Sequence, residues 1–175
     1  GYVIEVYWED SARPLPAGVA IEPLGTPEIP DCEAILRELP DWFGIEASVQ
    51  GYVRGLAGAE GWVVRSAGQV QAFLSLEQTA ESAVEIVVMA VRRARHRQGL
   101  GRALVEHVER ELCSRGIGWL HVKTRGPSGP GPDEEYPKTR AFYRALGFEP
   151  LFETEAFDGP QDPTLVLIKP LPFLE

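Results

Sequence analysis

The sequence predicts a single α/β domain (α+β in type), with a mixed, mostly antiparallel and partly split sheet that is flanked by helices. Apolar runs of strand length alternate with segments of helical periodicity, and no stretch is typical of a linker or an internal repeat. A chain of 175 residues is of ordinary length for one domain and can bury a core without cross-links. Its 44% apolar and 25% charged residues are typical of a globular protein.

The first third of the chain predicts one strand and two helices after an N-terminal extension of residues 1–18. The extension ends in a connector that is rich in proline and glycine. A strand at 19–24 precedes a helix that Asp31 caps and Pro40 ends. An aromatic turn at 41–45 then leads to a second helix at about 46–56.

The remainder predicts two further helices and six strands. Strands at 61–65, 70–76 and 84–91 are joined by a hairpin turn at 67–69 and a polar connection at 77–83. A helix at 100–115, a strand at 119–123, a helix at 139–146 and strands at 148–157 and 165–169 follow. The loop at 126–135 is rich in Gly and Pro, and the sequence leaves open whether it is a surface loop or a cover over a site.

Charge and cysteine content argue against several classes of protein. A net charge of −9 disfavours general binding to nucleic acids or anionic membranes. Cys32 and Cys113 are too few for a disulfide framework and fit a reducing cytoplasm. No run approaches about 18 consecutive apolar residues, and no His or Cys spacing is typical of a metal site. We therefore expect a cytoplasmic protein without metal, nucleic acid or membrane span.

The segment between the strand at 84–91 and the helix at 100–115 predicts an anion site. Gly99 and Gly101 fall at the start of this helix, where unpaired N–H groups and the positive end of the dipole attract anions. Glycine also lets a ligand approach the main chain closely. Positive charge is added by Arg92, Arg93, Arg95 and Arg97. A phosphate or pyrophosphate site is favoured, and a helix start beside a solvated basic run is the alternative.

Known nucleotide motifs do not fit this segment. A P-loop requires Gly-Lys-Ser/Thr, which the chain lacks, and a dinucleotide fingerprint requires glycine at the position of Leu104. The string His96-Arg97-Gln98-Gly99-Leu100-Gly101 instead resembles the coenzyme A pyrophosphate loop of the GNAT acyltransferases (Gcn5-related N-acetyltransferases), whose pattern is Arg/Gln-x-x-Gly-x-Gly/Ala. His96 stands in the first position, and Arg93 stands where proline is common.

A second motif strengthens the resemblance. The residues Phe142, Tyr143, Gly147 and Phe148 match the family's Phe-Tyr-x-x-x-Gly-Phe, about 40 residues after the first motif. The order of predicted elements is also that of GNAT proteins. The resemblance implies a GNAT acetyltransferase domain over residues 19–170.

The implied activity is transfer of an acetyl group from acetyl-CoA to a primary amine, by direct attack in a ternary complex. The acceptor is a small-molecule or protein amine, and a homodimer is an expected assembly. The family holds its cofactor largely through main-chain groups of the strand end and the loop. The corresponding residues are Met89, Ala90, Val91, His96, Arg97, Gln98, Gly99, Leu100, Gly101 and Arg102.

The resemblance also implies two catalytic groups. Tyr143 would lie beside the cofactor sulfur and protonate the departing thiolate. Glu85 opens the strand before the loop and is the candidate base, directly or through water, if burial raises its pKa; a solvent-facing Glu85 is the alternative. Glu81 and His121 are further candidates, although His121 fits a structural role equally well. Tyr136 stands where the family often has Asn.

Trp42 and Phe43, between the first two helices, are expected either to line the acceptor site or to cover the core. Two other functions stay open at this point. A non-catalytic, regulatory acyl-CoA-binding module would have no need of an acid at Tyr143, and an RNA-binding protein would use the arginine cluster in a salt-dependent way.

Overall fold

The computed structural model describes residues 15–131 and 133–172, which form one sheet covered by helices on both faces. The strands are β1 (Val19–Pro23), β2 (Glu60–Ser66), β3 (Gln69–Ala80), β4 (Ala83–Val91), β5 (Trp119–Arg125), β6 (Glu149–Thr154) and β7 (Thr164–Pro170). The helices are α1 (Ile29–Arg37), α2 (Pro40–Phe43), α3 (Glu46–Leu56), α4 (Leu100–Ser114) and α5 (Tyr136–Ala145).

The seven-stranded sheet has the order β1-β2-β3-β4-β5-β7-β6. All neighbouring strands are antiparallel except β4 and β5, which α4 connects in parallel. This pair extends only from Ala83 opposite Trp119 to Ile86 opposite Val122. Beyond these residues the two strands are no longer paired, so the sheet splits at its centre. The predicted mixed, split sheet is confirmed.

A β-bulge at Val87 marks the point where the split begins. Ser75 of β3 pairs with Val88, and Leu76 pairs with Ile86, which leaves Val87 as an extra residue on β4. Because side chains alternate along a strand, one extra residue exchanges the two faces. Ile86 therefore packs in the hydrophobic cluster with α4, whereas Val88 packs in the opposite cluster with α1 and α3.

The two faces of the sheet carry separate cores. Helix α4 presents a helical stripe of buried side chains to one face, where Tyr143 of α5 and Leu146, the residue after α5, are added. Helices α1 and α3 cover the other face. The α4 stripe consists of Leu100, Leu104, Val108 and Leu112. Full burial of each such side chain contributes roughly 1.5–3 kcal/mol of hydrophobic stabilisation, which is ample to fix α4 on the sheet.

Several predicted boundaries of strands and helices differ from those in the structure. The polar segment 77–83 is mostly strand, because β3 runs to Ala80 and pairs across a tight turn with Ala83, its last residues exposed. The aromatic segment contains one helical turn, α2, with Pro40 in its first turn. Helix α1 begins at Ile29, so Asp31 lies in its first turn and is not its cap.

Two later boundaries also differ. Helix α5 begins at Tyr136 and not at 139, since Pro137 suits a first helical turn. The predicted strand at 148–157 ends at Thr154 in the structure. Residues 1–14 of the predicted extension lie outside the described residues. Within the described ranges, no helix has the length and apolar content needed to cross a membrane.

Candidate active site

A cleft of about 1380 Å³ lies where β4 and β5 separate. Its walls come from both strands, from α2 and α3, from the loop before α4, from α5, and from the connection between β6 and β7. Glu85, Tyr143 and all ten residues assigned to the cofactor line this cleft, whereas the further base candidates Glu81 and His121 do not. The split sheet thus brings together segments that are far apart in the sequence.

One side of the cleft is the free edge of β4. Residues 88–91 pair with β3 on one side only, so their other backbone groups face the cleft. Met89 and Ala90 lie on this edge. The carbonyl of Val91 already accepts a hydrogen bond from His96 Nε2 at 2.8 Å, which requires the Nε2–H tautomer. The bulge residue Val87 adds backbone groups that the sequence did not reveal.

The loop before α4 forms a row of unpaired N–H groups. His96 N–H donates to Arg93, and Ala103 N–H donates to Gly99. The amides between them, from Arg97 to Arg102, have no acceptor within the described parts of the chain. Arg97 and Gly99 adopt left-handed conformations, with φ of 61° and 83°, which turns successive N–H groups into a concave anion-binding arrangement.

Two of the neighbouring arginines have a structural role. Arg92 forms ion pairs with Glu38 and, more loosely, with Asp31, and its Nε donates to Val70. Arg93 pairs with Asp41 at 2.7 Å, so both side chains tie the loop to α1 and α2. Their positive charge is therefore largely neutralised within the protein.

The other basic side chains face the cleft. Arg97 is exposed, and Arg102 lies 3.6 Å from Glu106, a loose pair. Arg95 Nε is buried without a hydrogen-bond partner among the described residues. These three arginines line the cleft without a close ion pair among the described residues, so they are available to an anionic ligand.

Trp42 bridges the two sides of the cleft. Its indole Nε1 donates to Thr139 Oγ1 of α5 at 3.1 Å, and its ring packs edge-on against His96, with centroids 6.1 Å apart. Tyr136, at the position of the family's Asn, donates its hydroxyl hydrogen to the Trp42 carbonyl at 3.4 Å. Trp42 and Phe43 are half-buried and line the cleft, and both also pack against the core under α1 and α3, so α2 forms one wall of the cleft.

Tyr143 is the buried aromatic residue of this site. Its side chain is 5% exposed and packs edge-on between Phe142 and Phe148, with centroids 5.2 and 5.3 Å away. Burial raises the pKa of Tyr143 far above its usual range. The phenol is therefore protonated at neutral pH and can donate a hydrogen bond into the cleft.

Glu85 and His121 lie side by side in the β4–β5 pair. Glu85 is 8% exposed, lines the cleft, and places Oε2 3.1 Å from Lys123 Nζ. The His121 ring lies 2.8 Å from Thr79 Oγ1 and outside the cleft lining. Desolvation lowers the pKa of His121, so the ring is neutral at neutral pH. Glu81 is exposed in the β3–β4 turn, away from the cleft.

The sequence analysis missed the wall opposite α2. Phe157, Asp158 and Asp162, from the connection between β6 and β7, line the cleft together with Tyr52 of α3. Burial chiefly raises the pKa of Tyr52, and the nearby carboxylates of Asp158 and Glu85 raise it further. No local signal marks these residues, because β7 must insert between β5 and β6 before their connection reaches the cleft.

The loop at 126–135 is held against the sheet. Gly126 N–H donates to Pro163 at 2.6 Å, Ser128 Oγ donates to Glu153 at 2.7 Å, and Arg125 donates to Pro130 at 2.7 Å. Among its described residues only Glu135 lines the cleft. The surface-loop alternative therefore fits this structure better than a cover over the site.

A split sheet with a free strand edge, an anion-binding helix start and a buried phenol in one cleft defines an acyltransferase architecture. A family model described as an acetyltransferase (GNAT) domain matches residues 57–150, more than half of the chain. The chain therefore belongs to the GNAT acetyltransferase family, and the protein is an acetyltransferase enzyme. The resemblance inferred from the two motifs is confirmed.

Solved structures share the fold. The ribosomal-protein-S18-alanine N-acetyltransferase from Escherichia coli has 22% identity and a TM-score of 0.71, covering 90% of this chain and 96% of that one. A GNAT-family protein from Desulfovibrio desulfuricans has 17% identity and a TM-score of 0.77, covering 88% and 99%.

An aminoglycoside 6'-N-acetyltransferase, solved in complex with coenzyme A, has 14% identity and a TM-score of 0.67, covering 89% of this chain and 99% of that one. No curated protein sequence matches the chain. At these identities the solved structures show a common fold alone.

Proposed function

We propose that this protein transfers an acetyl group from acetyl-CoA to a primary amine by direct attack in a ternary complex. The observation that carries the proposal is the placement of three features in one cleft: the row of unpaired amides at 97–102, the free edge of β4, and Tyr143. Similar structures of an aminoglycoside 6'-N-acetyltransferase and of an N-acetyltransferase from Thermoplasma acidophilum contain coenzyme A, which supports this ligand.

The chain's own groups would hold acetyl-CoA along the split. The amides from Arg97 to Arg102 would bind the pyrophosphate, and Arg95 would supply a further donor. The backbone of Met89 and Ala90 would hydrogen-bond the pantetheine in the way that it would bond an added β-strand. The thioester would then lie near the bulge at Val87, where backbone N–H groups could stabilise the oxyanion.

Two side chains would move protons. Glu85 would accept a proton from the incoming ammonium, because it is buried and faces the cleft, whereas the His121 ring is turned to Thr79. Tyr143 would donate a hydrogen bond and a proton to the departing sulfur. A bound thioester is already activated, so no nucleophile from the protein is required.

The acceptor amine would enter between α2, α3 and the connection between β6 and β7. The acceptor would be a small-molecule or protein amine, and a homodimer stays a prediction. A cytoplasmic location is favoured because Cys32 and Cys113 are both free and buried, which suits a reducing compartment.

Thermal unfolding with saturating acetyl-CoA tests the cofactor directly, with ATP and NAD as controls. A ligand at about 100 times its dissociation constant adds roughly 2.7 kcal/mol, which should raise the midpoint by roughly 5–10 °C. A rise with acetyl-CoA alone supports the proposal and justifies a screen of amines by thiol release. No rise, or an equal rise with ATP, would mean that the loop binds another ligand.

A further inference from the structure

Lysine is rare in this chain, and one of the few lysines lies in the proposed acceptor site. The sequence has fourteen arginines but only Lys123, Lys138 and Lys169. Lys169 of β7 forms a largely buried pair with Glu109 of α4. Lys138 lies on α5 at the rim of the cleft and pairs with Glu135. Lys123 alone contacts the candidate base.

The Lys123 ammonium occupies the position expected for an acceptor amine. Its Nζ lies 3.1 Å from Glu85 Oε2 and 4.9 Å from the centre of the Phe157 ring. A buried carboxylate and an aromatic face together form a binding site for a primary alkylammonium group. The side chain is 40% exposed, so the amine remains accessible from the cleft.

The backbone places this amine at the level of the split. Val122 is the last residue of β5 that pairs with β4, opposite Ile86, and Lys123 follows it directly. Lys123 therefore begins at the level of Val87, where the acetyl thioester would lie. Lys123 and Glu85 extend from the same face of the sheet, because Val122 and Ile86 beside them both pack in the cluster with α4.

We propose that Lys123 is a self-acetylation site, modified by acetyl-CoA bound in the same chain. This inference rests on the proposed function. Glu85 takes one proton from the ammonium and passes it to water. The Nζ lone pair attacks the thioester carbon, an N–C bond forms, and the C–S bond breaks. The sulfur leaves with a proton from Tyr143. Nζ loses its second proton to solvent, and Tyr143 takes a proton back from solvent. The products are acetyl-lysine and free thiol.

Acetylation changes the site itself. It removes the positive charge that pairs with Glu85 and leaves an acetamide in the acceptor position. The modified chain should therefore accept added amines more slowly than the unmodified chain. Self-acetylation in the absence of an acceptor would thus lower the rate at which the chain later acetylates added amines.

Mass spectrometry of the full chain, incubated with acetyl-CoA and no added amine, tests the inference. We expect one acetyl group, located on Lys123, with a first-order rate constant that does not depend on protein concentration. Lys123→Arg should abolish this adduct, while Lys138→Arg should leave it unchanged. Lys138 is the matched control because it lines the same cleft and is more exposed, at 59%. Glu85→Gln should slow the reaction about 100-fold.

The outcomes separate this inference from the proposed function. A thermal shift with acetyl-CoA but no adduct on Lys123 would overturn self-acetylation and leave the acetyltransferase intact. Equal labelling of Lys138, or the same rate in the Glu85→Gln variant, would indicate spontaneous chemistry and also overturn it. A rate constant that rises with protein concentration would show transfer between molecules and would overturn modification within one chain. Lys123→Arg should retain the thermal shift, which establishes that the variant is folded.

Discussion

Burial keeps the hydroxyl group of Tyr143 protonated. Its ring packs between Phe142 and Phe148, and the same desolvation raises the pKa of its hydroxyl. A phenol with a raised pKa stays protonated over the whole neutral range. It is therefore always available to donate a hydrogen bond to the developing thiolate, but the raised pKa makes it a weaker acid, so the proton moves only once the sulfur carries full charge.

Replacement of Tyr143 by Phe should reduce turnover without loss of cofactor affinity. The phenyl ring keeps the packing, so the fold and the acetyl-CoA thermal shift should persist. Loss of the proton donor should lower kcat by about 100-fold or more. The rate is measured by thiol release with the best amine from a screen.

Tyr136→Phe provides a matched control for this variant. Tyr136 also lines the cleft, but its hydroxyl hydrogen-bonds the Trp42 carbonyl, so its loss should change kcat only a few-fold. Equal turnover of the Tyr143→Phe variant and the unmodified protein would remove Tyr143 from the role of acid.

The contacts of the His96 side chain differ from those that the motif predicts. The motif placed it among the cofactor-binding residues, and it does line the cleft. Its ring, however, donates to the Val91 carbonyl and packs against Trp42, and its amide already bonds Arg93. We therefore infer that His96 positions the loop, whereas the amides that follow it would bind phosphate.

At the scale of elements, the start of α4 depends on backbone conformation more than on side chains. Gly99 has φ of 83° and precedes the helix directly, and Arg97 adopts a left-handed conformation that is costly for a residue with a Cβ. Strain of this kind persists where a loop is held by its surroundings. Here the ion pairs of Arg92 and Arg93 with α1 and α2 provide that restraint.

Replacement of Gly99 by Ala should weaken acetyl-CoA binding while the fold persists. An added Cβ meets nothing within 4 Å, but the left-handed conformation becomes strained by roughly 1–2 kcal/mol. Relief of that strain would shift the amides that bind the pyrophosphate. Thermal shifts at a series of acetyl-CoA concentrations measure the loss of affinity.

Gly68→Ala is the control for backbone strain alone. Gly68 has φ of 78° in the β2–β3 turn, with equally open space, and it does not line the cleft. This variant should lower the unfolding midpoint similarly but keep the affinity for acetyl-CoA. An unchanged affinity in the Gly99→Ala variant would contradict a backbone anion site.

On the scale of the whole molecule, burial makes stability depend on pH. His107 on α4 packs edge-on against Trp62, and its Nε2 has no hydrogen-bond partner among the described residues. Desolvation lowers the pKa of His107 below the ordinary 6.5. The unfolded chain therefore takes up a proton near pH 6.5 that the folded chain resists, and the stability present above this pH is lost as the pH falls.

His107→Gln should make the free energy of unfolding less sensitive to acid. Denaturant titrations between about pH 7.5 and about pH 5.5 measure this sensitivity. The unmodified protein should lose more stability over this interval than the variant does. Comparison of the two proteins cancels the contributions of other groups, including His121, whose pKa is also lowered. Parallel pH profiles would show that His107 titrates normally in the folded state.

The sequence by itself determined the order of the elements, the α/β class and the two motifs, because these depend on local periodicity and on residues close together in the chain. It also determined that Gly99 and Tyr143 belong to one family pattern. The prediction at 77–83 was wrong because strand pairing overrides local polarity, and the segment 41–45 proved to contain part of a helical turn that begins at Pro40.

Only the tertiary structure decided which side chains face the cleft. The bulge at Val87 exchanges the faces of β4, and insertion of β7 brings Phe157 and Asp158 to the site. Ion pairing removes Arg92 and Arg93 from the anion site. These outcomes depend on contacts between residues distant in the sequence, and such contacts form only when the sheet assembles.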